Sequence, residues 1–312
     1  MTPISITPKG GSELLYTSLI RHLGQDWLAI QSRVNLILSI CAPQLLDPDP
    51  NRINVVWQHL MTDQPATFRM RDAEFVSQVS SFVYVSDWQL AQFRDMYNIE
   101  HVQNTVIRNA IEPIPFVPKP KGKIKLVYTS MPDRGLDILL DAFALIEQGR
   151  DVVLDVYSSN IIYGAGYASG EGQKNNDVLN KCRKARNVNY RGYVTNKAIR
   201  LAMQRAHILA YPSTFEETSC LSAIEAGCAG CQIVTTDLGA LPETCGSYAT
   251  YVYNNKNQLV ERYARALANA IDEYYSIPDS LLVRQSNWFN ERYSWDNRIQ
   301  EWRDFFNTFQ KG

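Results

Sequence analysis

Two carboxylates frame the stretch FEETSCLSAIEAG (215–227). Glu217 and Glu225 stand eight positions apart around a Thr-Ser-Cys step and an otherwise apolar run. From Leu221 onward the composition is helical, and Thr218, Ser219 and Cys220 are start residues of the right type. Glu225 then falls inside a mostly buried helix, with no basic residue at i±3 or i±4. An unpaired carboxylate is expensive there. Glu217 sits just outside the helix start, where the helix dipole by itself favours an acid. At about 1.5 Å of rise per residue the two acids are roughly 10 Å apart, the span from a nucleotide's ribose to a sugar on its far phosphate. Carboxylates accept from vicinal hydroxyls, so each Glu suits one sugar ring. The amides of Thr218, Ser219, Cys220 and Leu221 suit phosphate oxygens between them.

Other residues carry similar chemistry. In LVYTSMPDRGLDILLDAFALI (126–146), Arg134 and Gly135 precede a helix, so a guanidinium stands beside free amides and suits a diphosphate. The bland alternative is a solvated Arg capping Asp133 or Asp137. PKGGSELLYTSL (8–19) places Gly10 and Gly11 at a turn into a helix, where a ligand can approach bare backbone. His59 ends the strand-like INVVWQH, a position from which an imidazole reaches a substrate hydroxyl. Asp47-Pro-Asp49 is a DxD, but QLLDPDPNR reads as a surface turn with nothing nearby to complete a metal shell. Cys228 and Cys231 form a CxxC that follows a helix instead of opening one, with no second pair; both read as small buried residues.

The elements that must position these residues alternate. Strand-like runs at 4–7, 34–40, 53–58, 81–86 and 105–109 are interleaved with helical patterns at 12–23, 70–79 and 87–97. EPIPFVPKPKGK (112–123), with four prolines, then reads as a linker. Beyond it strands fit 123–130, 152–158, 188–194, 207–213, 231–237 and 250–254, with helices near 135–147, 175–185, 196–205, 220–228 and 257–275. This is the pattern of two parallel α/β domains, in which ligands bind at the carboxyl ends of strands. The candidate residues fall at such ends. Trp295, Ile299, Trp302, Phe305, Phe306 and Phe309 make a near-helical stripe that needs an apolar groove.

The chain of 312 residues, 45% hydrophobic and 20% charged, holds two ordinary cores. A net charge of −1 gives no general reason to expect nucleic acid. No apolar run reaches the roughly 18 residues of a membrane span, and MTPISITPKGG has no signal-peptide core. The expectation is a soluble, cytoplasmic protein, with room for a peripheral membrane contact.

Taken together, these segments resemble a GT-B glycosyltransferase of the large retaining group, family four, which uses nucleotide-sugar donors. The likeness runs through KGGSEL, VVWQHL, SDWQLAQF, TVIRNAIEP, TSMPDRGLDILLDAF, RGYVTNKAI, ILAYPSTFEETSCLSAIEAG and TTDLGALPET. Glu-x7-Glu after Tyr-Pro-Ser is the most specific element. The resemblance implies two Rossmann-like domains facing a central cleft: 1–115 binding the acceptor, 116–295 binding the donor, and a C-terminal helix (296–312) returning across the cleft to the first. It implies that Glu225 binds ribose hydroxyls, Glu217 a hydroxyl of the transferred sugar, and Arg134 the diphosphate. Ser130 would donate to that diphosphate, the backbone at Tyr193 and Val194 would meet the base, and His59 would approach the sugar. Gly10 and Gly11 would face the acceptor, Gly11 also the donor phosphate. Neither a metal nor another cofactor is implied; the partners are a UDP- or GDP-sugar and a carbohydrate-bearing acceptor. Two departures stand out. Thr129, Ser130 and Met131 supply no second basic residue, and Thr218-Ser219-Cys220 replaces Gly-Phe-Gly. The first leaves room for a degenerate nucleotide- or glycan-binding module, and a sugar-nucleotide epimerase is the other alternative on this architecture.

Overall fold

The computed structural model describes residues 10–160, 175–255 and 257–310; the expected strand at 4–7 lies outside them. Contacts divide the chain into two units, one of 11–112 with 293–312 and the other holding 113–292. In the first, α1 (Gly11–Leu23) and α2 (Asp26–Gln31) precede β1 (Val34–Leu38) and β2 (Ile53–Gln58). Then come α3 (Ala73–Ser77), β3 (Ser81–Tyr84), α4 (Asp87–Met96) and β4 (Gln103–Val106). The sheet is parallel in the order β1-β2-β3-β4, with Leu36 opposite Val55 and Trp57 opposite Val83. β3 is buried at all four positions, which is why it reads as an unbroken apolar run and not as an alternation. The helix expected over 70–79 is instead a 3-10 turn, Pro65–Arg71, followed by the short α3. Asp72 separates them: its backbone is extended and its side chain accepts from Glu74 N at 3.0 Å, a cap that starts a new helix.

The second unit carries β5 (Ile124–Tyr128), α5 (Leu136–Ile146), β6 (Val152–Val156), α6 (Asn176–Lys184) and β7 (Val188–Tyr190). It continues with α7 (Asn196–Arg205), β8 (Ile208–Tyr211), α8 (Leu221–Cys228), β9 (Gln232–Thr236) and α9 (Leu241–Cys245). β10 (Ala249–Val252), α10 (Leu259–Asp272) and α11 (Asp279–Tyr293) complete it. The parallel sheet runs β7-β6-β5-β8-β9-β10, the 3-2-1-4-5-6 order of a dinucleotide-binding fold. The order reverses between β5 and β8, where Leu126 pairs with Ile208. Ligands of such sheets bind at that switch point, outside the carboxyl ends of the strands.

The proline-rich segment expected as a linker is a strap packed along the second unit. Donor side chains capture its carbonyls: Arg200 on Pro113, Asn290 on Ile114, Gln204 on Pro115, His207 on Pro120 and Tyr275 on Gly122. Lys119 in turn donates to Met203 O, Gln204 O and Ala229 O, at the ends of α7 and α8. The prolines forbid helix and sheet, and side chains supply the bonds that secondary structure would have made.

The C-terminal helix, Trp295–Asn307, belongs to the first unit. Trp302 packs on Trp57 with ring centroids 4.7 Å apart, Trp295 stacks on His22 at 5.1 Å, and Arg303 pairs with Asp26 at 3.0 Å. Its aromatic stripe therefore meets α1 and β2, while Arg303 reaches α2.

Candidate functional site

The loops after β5 and β8 flank the switch point, and their close approach depends on one residue. Gly135 has φ +98°, and a Cβ there would lie 2.0 Å from Pro212 O. Only glycine lets the two loops touch. The residue before it, Arg134, is thereby set against the second loop. Its Nη1 donates to Glu217 Oε1 at 2.8 Å, and its guanidinium carbon lies 4.3 Å from the centre of the Phe215 ring. Asp137 pairs with Lys181.

Glu217 is buried and fixed at both ends. Tyr211, the last residue of β8, donates its hydroxyl to the same Oε1 at 2.5 Å. The main chain of Glu217 accepts from Ala240 N at 2.7 Å, and a Cβ on Gly239 (φ +64°) would come within 2.7 Å of Glu217 N. The β5 loop is tied down from its neighbours: Ser158 Oγ donates to Ser130 O at 2.6 Å and Ser222 Oγ to Thr129 O at 2.8 Å. Ser130 Oγ lies 3.4 Å from the Tyr211 hydroxyl.

α8 starts at Leu221 with Cys220 at its N-cap, where the composition turns helical. The dipole-aligned free amides therefore begin at Leu221, and those of Thr218 and Ser219 belong to the loop. Glu225 is buried on this helix, and among the described residues no hydrogen bond or ion pair reaches its carboxylate. Burial pushes its pKa up to about 7, the charge of Arg200 opposing.

Tyr193 is exposed and Val194 half-buried in the turn after β7, at the same end of the sheet. Gly11 opens α1, directly after the buried Gly10, and His59 follows β2; Gly11 and His59 belong to the first unit. The His59 ring lies 4.6 Å from Trp57, and its Nδ1 is 3.4 Å from Ser39 Oγ. Burial drives its pKa down to about 3 against a hydrogen bond with Asn109, so the imidazole is neutral at ordinary pH. Four residues of the site have no role assigned from the sequence: Tyr211, Phe215, Ser158 and Gly239. Tyr211 in particular reads there as one more core residue of a strand.

The competing motifs resolve into structure. Asp47 pairs with Arg52 at 2.6 Å and accepts from Asp49 N, and Asp49 accepts from Asn51 N, so the DxD builds a turn. Cys228 and Cys231 are buried thiols whose pKa values burial raises, and Cys231 donates to Met203 O. Among the described residues no group of three or more His, Cys, Asp or Glu is placed to hold a metal ion. No described helix is long and apolar enough to cross a membrane.

An acceptor carboxylate, a guanidinium and a helix start converge at the switch point of the second unit, and residues 123–276 of that unit match the family model described as glycosyl transferases group 1. That stretch is similar to the group 1 glycosyl transferases. Solved structures give the fold of the whole chain as GT-B. The pneumococcal O-GlcNAc transferase GtfA, in complex with UDP and GlcNAc, superposes with a TM-score of 0.68 at 12% identity, over 92% of this chain. This chain spans only 60% of that protein's length. HepE from Anabaena, in complex with UDP and glucose, gives 0.69 at 15% identity over 97% of this chain and 84% of its own. A glycosyltransferase from Rickettsia africae gives 0.66 at 13% identity over 100% and 84%. No curated protein matches the sequence. Both halves of the GT-B fold are thus present as parallel α/β units, and the switch-point cluster lies inside the stretch that the family model matches.

Proposed function

We propose that the chain is a retaining glycosyltransferase. It moves a sugar from a UDP- or GDP-sugar to a hydroxyl on a glycan, lipid or protein glycan, without a metal. The observation that carries this reading is the meeting of Arg134 and Glu217 at the β5/β8 switch point, 2.8 Å apart, next to the start of α8. The diphosphate rests against the α8 amides and Arg134. Glu217 accepts from the transferred sugar, Glu225 from the ribose, and Tyr193 and Val194 lie against the base. Ser130 adds one neutral donor where a second basic residue is missing. His59, neutral through burial, serves as a hydrogen-bonding group on a sugar hydroxyl and not as an acid. The acceptor is taken by the other unit, with Gly11 at the head of α1 as its close-approach point and Gly10 directly before it.

The reaction follows from these roles. The bond between the sugar's anomeric carbon and the diphosphate oxygen lengthens first, leaving an oxocarbenium-like sugar. The charge gathering on the departing phosphate meets Arg134 and fixed amide dipoles, which need no reorganisation. The acceptor oxygen then bonds to the anomeric carbon on the face the phosphate leaves, and its proton passes to a phosphate oxygen. Configuration is retained and no enzyme nucleophile is used.

Donor identity is tested by thermal shift with UDP, GDP, ADP and their sugar conjugates, since a ligand of the folded state raises its melting temperature. With the donor so identified, Glu217→Ala is expected to lower turnover at least about a hundredfold with an unchanged circular dichroism spectrum. Near-normal turnover in that variant would contradict the reading. Conversion of the donor's sugar without an acceptor would point to an epimerase, and binding without any turnover to a binding module.

A further inference from the structure

We propose that Tyr211 is a positioning residue for Glu217: its hydroxyl pins one carboxylate oxygen so that the other is presented to the donor sugar. The inference rests on the sugar-binding role of Glu217 proposed above. Both hydrogen bonds to the Glu217 carboxylate, from Tyr211 and from Arg134, end on Oε1. Among the described residues none ends on Oε2. A carboxylate has acceptor capacity on each oxygen, so two donors on one oxygen fix the plane of the group and leave the other for a ligand hydroxyl.

The two donors are not equivalent. Arg134 is a quarter exposed, on a loop, and its charge also serves the diphosphate. Tyr211 is wholly buried at the end of β8, its ring 5.8 Å from that of Tyr128. Its main-chain carbonyl accepts from Thr235 Oγ1 at 2.8 Å. A ring so held has one place to put its hydroxyl. Burial, and next the charge of Glu217, raise its pKa well above the ordinary value, so it stays a neutral donor whatever Arg134 does. Its proton points at Glu217, so in the 3.4 Å contact with the Ser130 hydroxyl the serine is the donor, with a single proton that it redirects to the diphosphate when the donor binds. The relay runs Ser130 to Tyr211 to Glu217, joining the β5 loop to the sugar carboxylate.

The test compares the full-length wild type with Tyr211→Phe, Glu217→Gln and the double variant. Calorimetry gives dissociation constants for UDP against UDP-glucose and for GDP against GDP-mannose. Tyr211→Phe should bind the free nucleotide within about twofold of wild type while losing about tenfold in affinity for the sugar conjugate. In the Glu217→Gln background it should add almost nothing, because it acts through that carboxylate. Equal losses for nucleotide and conjugate, no loss for either, or an undiminished effect in the Glu217→Gln background would each overturn the proposal. If Tyr211→Phe fails to fold, 3-fluorotyrosine at position 211 keeps the hydroxyl. Its fluorine resonance should then move with the conjugate but not the nucleotide, and not at all in the Glu217→Gln background; any other pattern counts against the relay. Should Glu217→Gln itself bind both conjugates as wild type does, it is the sugar-binding role of Glu217 that fails.

Discussion

Glu225 pairs an ordinary chemical group with an unusual address. Buried without a hydrogen bond among the described residues, it titrates at about 7 where a solvated Glu has 4.5. Folding therefore binds a proton between those two values. The group's contribution to stability is fully present below pH 4.5 and is lost as pH rises through 7. The upper bound on that loss is on the order of 3 kcal/mol. Glu225→Gln should thus be more stable than wild type at pH 8 and show a flatter denaturation profile between pH 5 and 8. Nucleotide affinity should move the other way, rising with pH through 7, because ribose hydroxyls donate to the ionised form; a pH-independent affinity would remove Glu225 from that role. The cost of this carboxylate was legible from its apolar neighbours in LSAIEAG. The partner of Glu217 was not. Arg134 lies 83 positions away, and Tyr211 in ILAYPS looks like any strand tyrosine until the strand is seen to end beneath a carboxylate.

Among the elements, β/α alternation and strand identity were readable because parallel strands buried on both faces are continuous apolar runs. Element ends were less so. α8 begins at Leu221 because Thr218 and Ser219 are held in the loop that Ala240 N and Gly239 support through Glu217, contacts formed by residues twenty positions downstream. The proline-rich strap was misread for a related reason. Prolines announce what a segment cannot pair with, but its actual partners, Arg200, Gln204, His207, Tyr275 and Asn290, are distant in sequence. Two expectations belong to this scale. Gly135→Ala forces a side chain into Pro212 O in a left-handed conformation, so it should lower the melting temperature by several degrees, a cost above about 1 kcal/mol, and weaken nucleotide binding by separating the two loops. Lys119→Met leaves three carbonyls at the ends of α7 and α8 without their ammonium donor. It should cost about 2 kcal/mol and speed hydrogen exchange at the ends of those helices first.

At the scale of the molecule, the chain leaves the first unit after Glu112 and re-enters it at Tyr293, and the flanking residues Ile111 and Tyr293 to Trp295 run side by side within that unit. Ile111 N donates to Tyr293 O at 2.7 Å, and Trp295 N donates to Ile111 O at 3.1 Å. The first unit is therefore closed by residues that arrive last. Its sheet of four described strands needs a cover on one side, and the C-terminal helix supplies Trp295, Trp302 and Phe306, all buried. The helical spacing of that stripe was plain in the sequence; which groove received it was not, since Trp57, His22 and Asp26 are more than 200 positions away. Trp302→Ala removes the ring against Trp57 and should cost about 3–5 kcal/mol. Trp302→Phe should cost much less, because the indole N–H it deletes meets no acceptor among the described residues. The loss must stay in one unit. Hydrogen exchange in Trp302→Ala should accelerate across α1, β1 and β2 while the amides of β5, β8 and β9 keep their protection. UDP binding, which the proposed site draws from the second unit, should fall by less than about threefold. A uniform rise in exchange over both sheets would mean that the two units unfold as one, and the separation drawn from their contacts would be wrong.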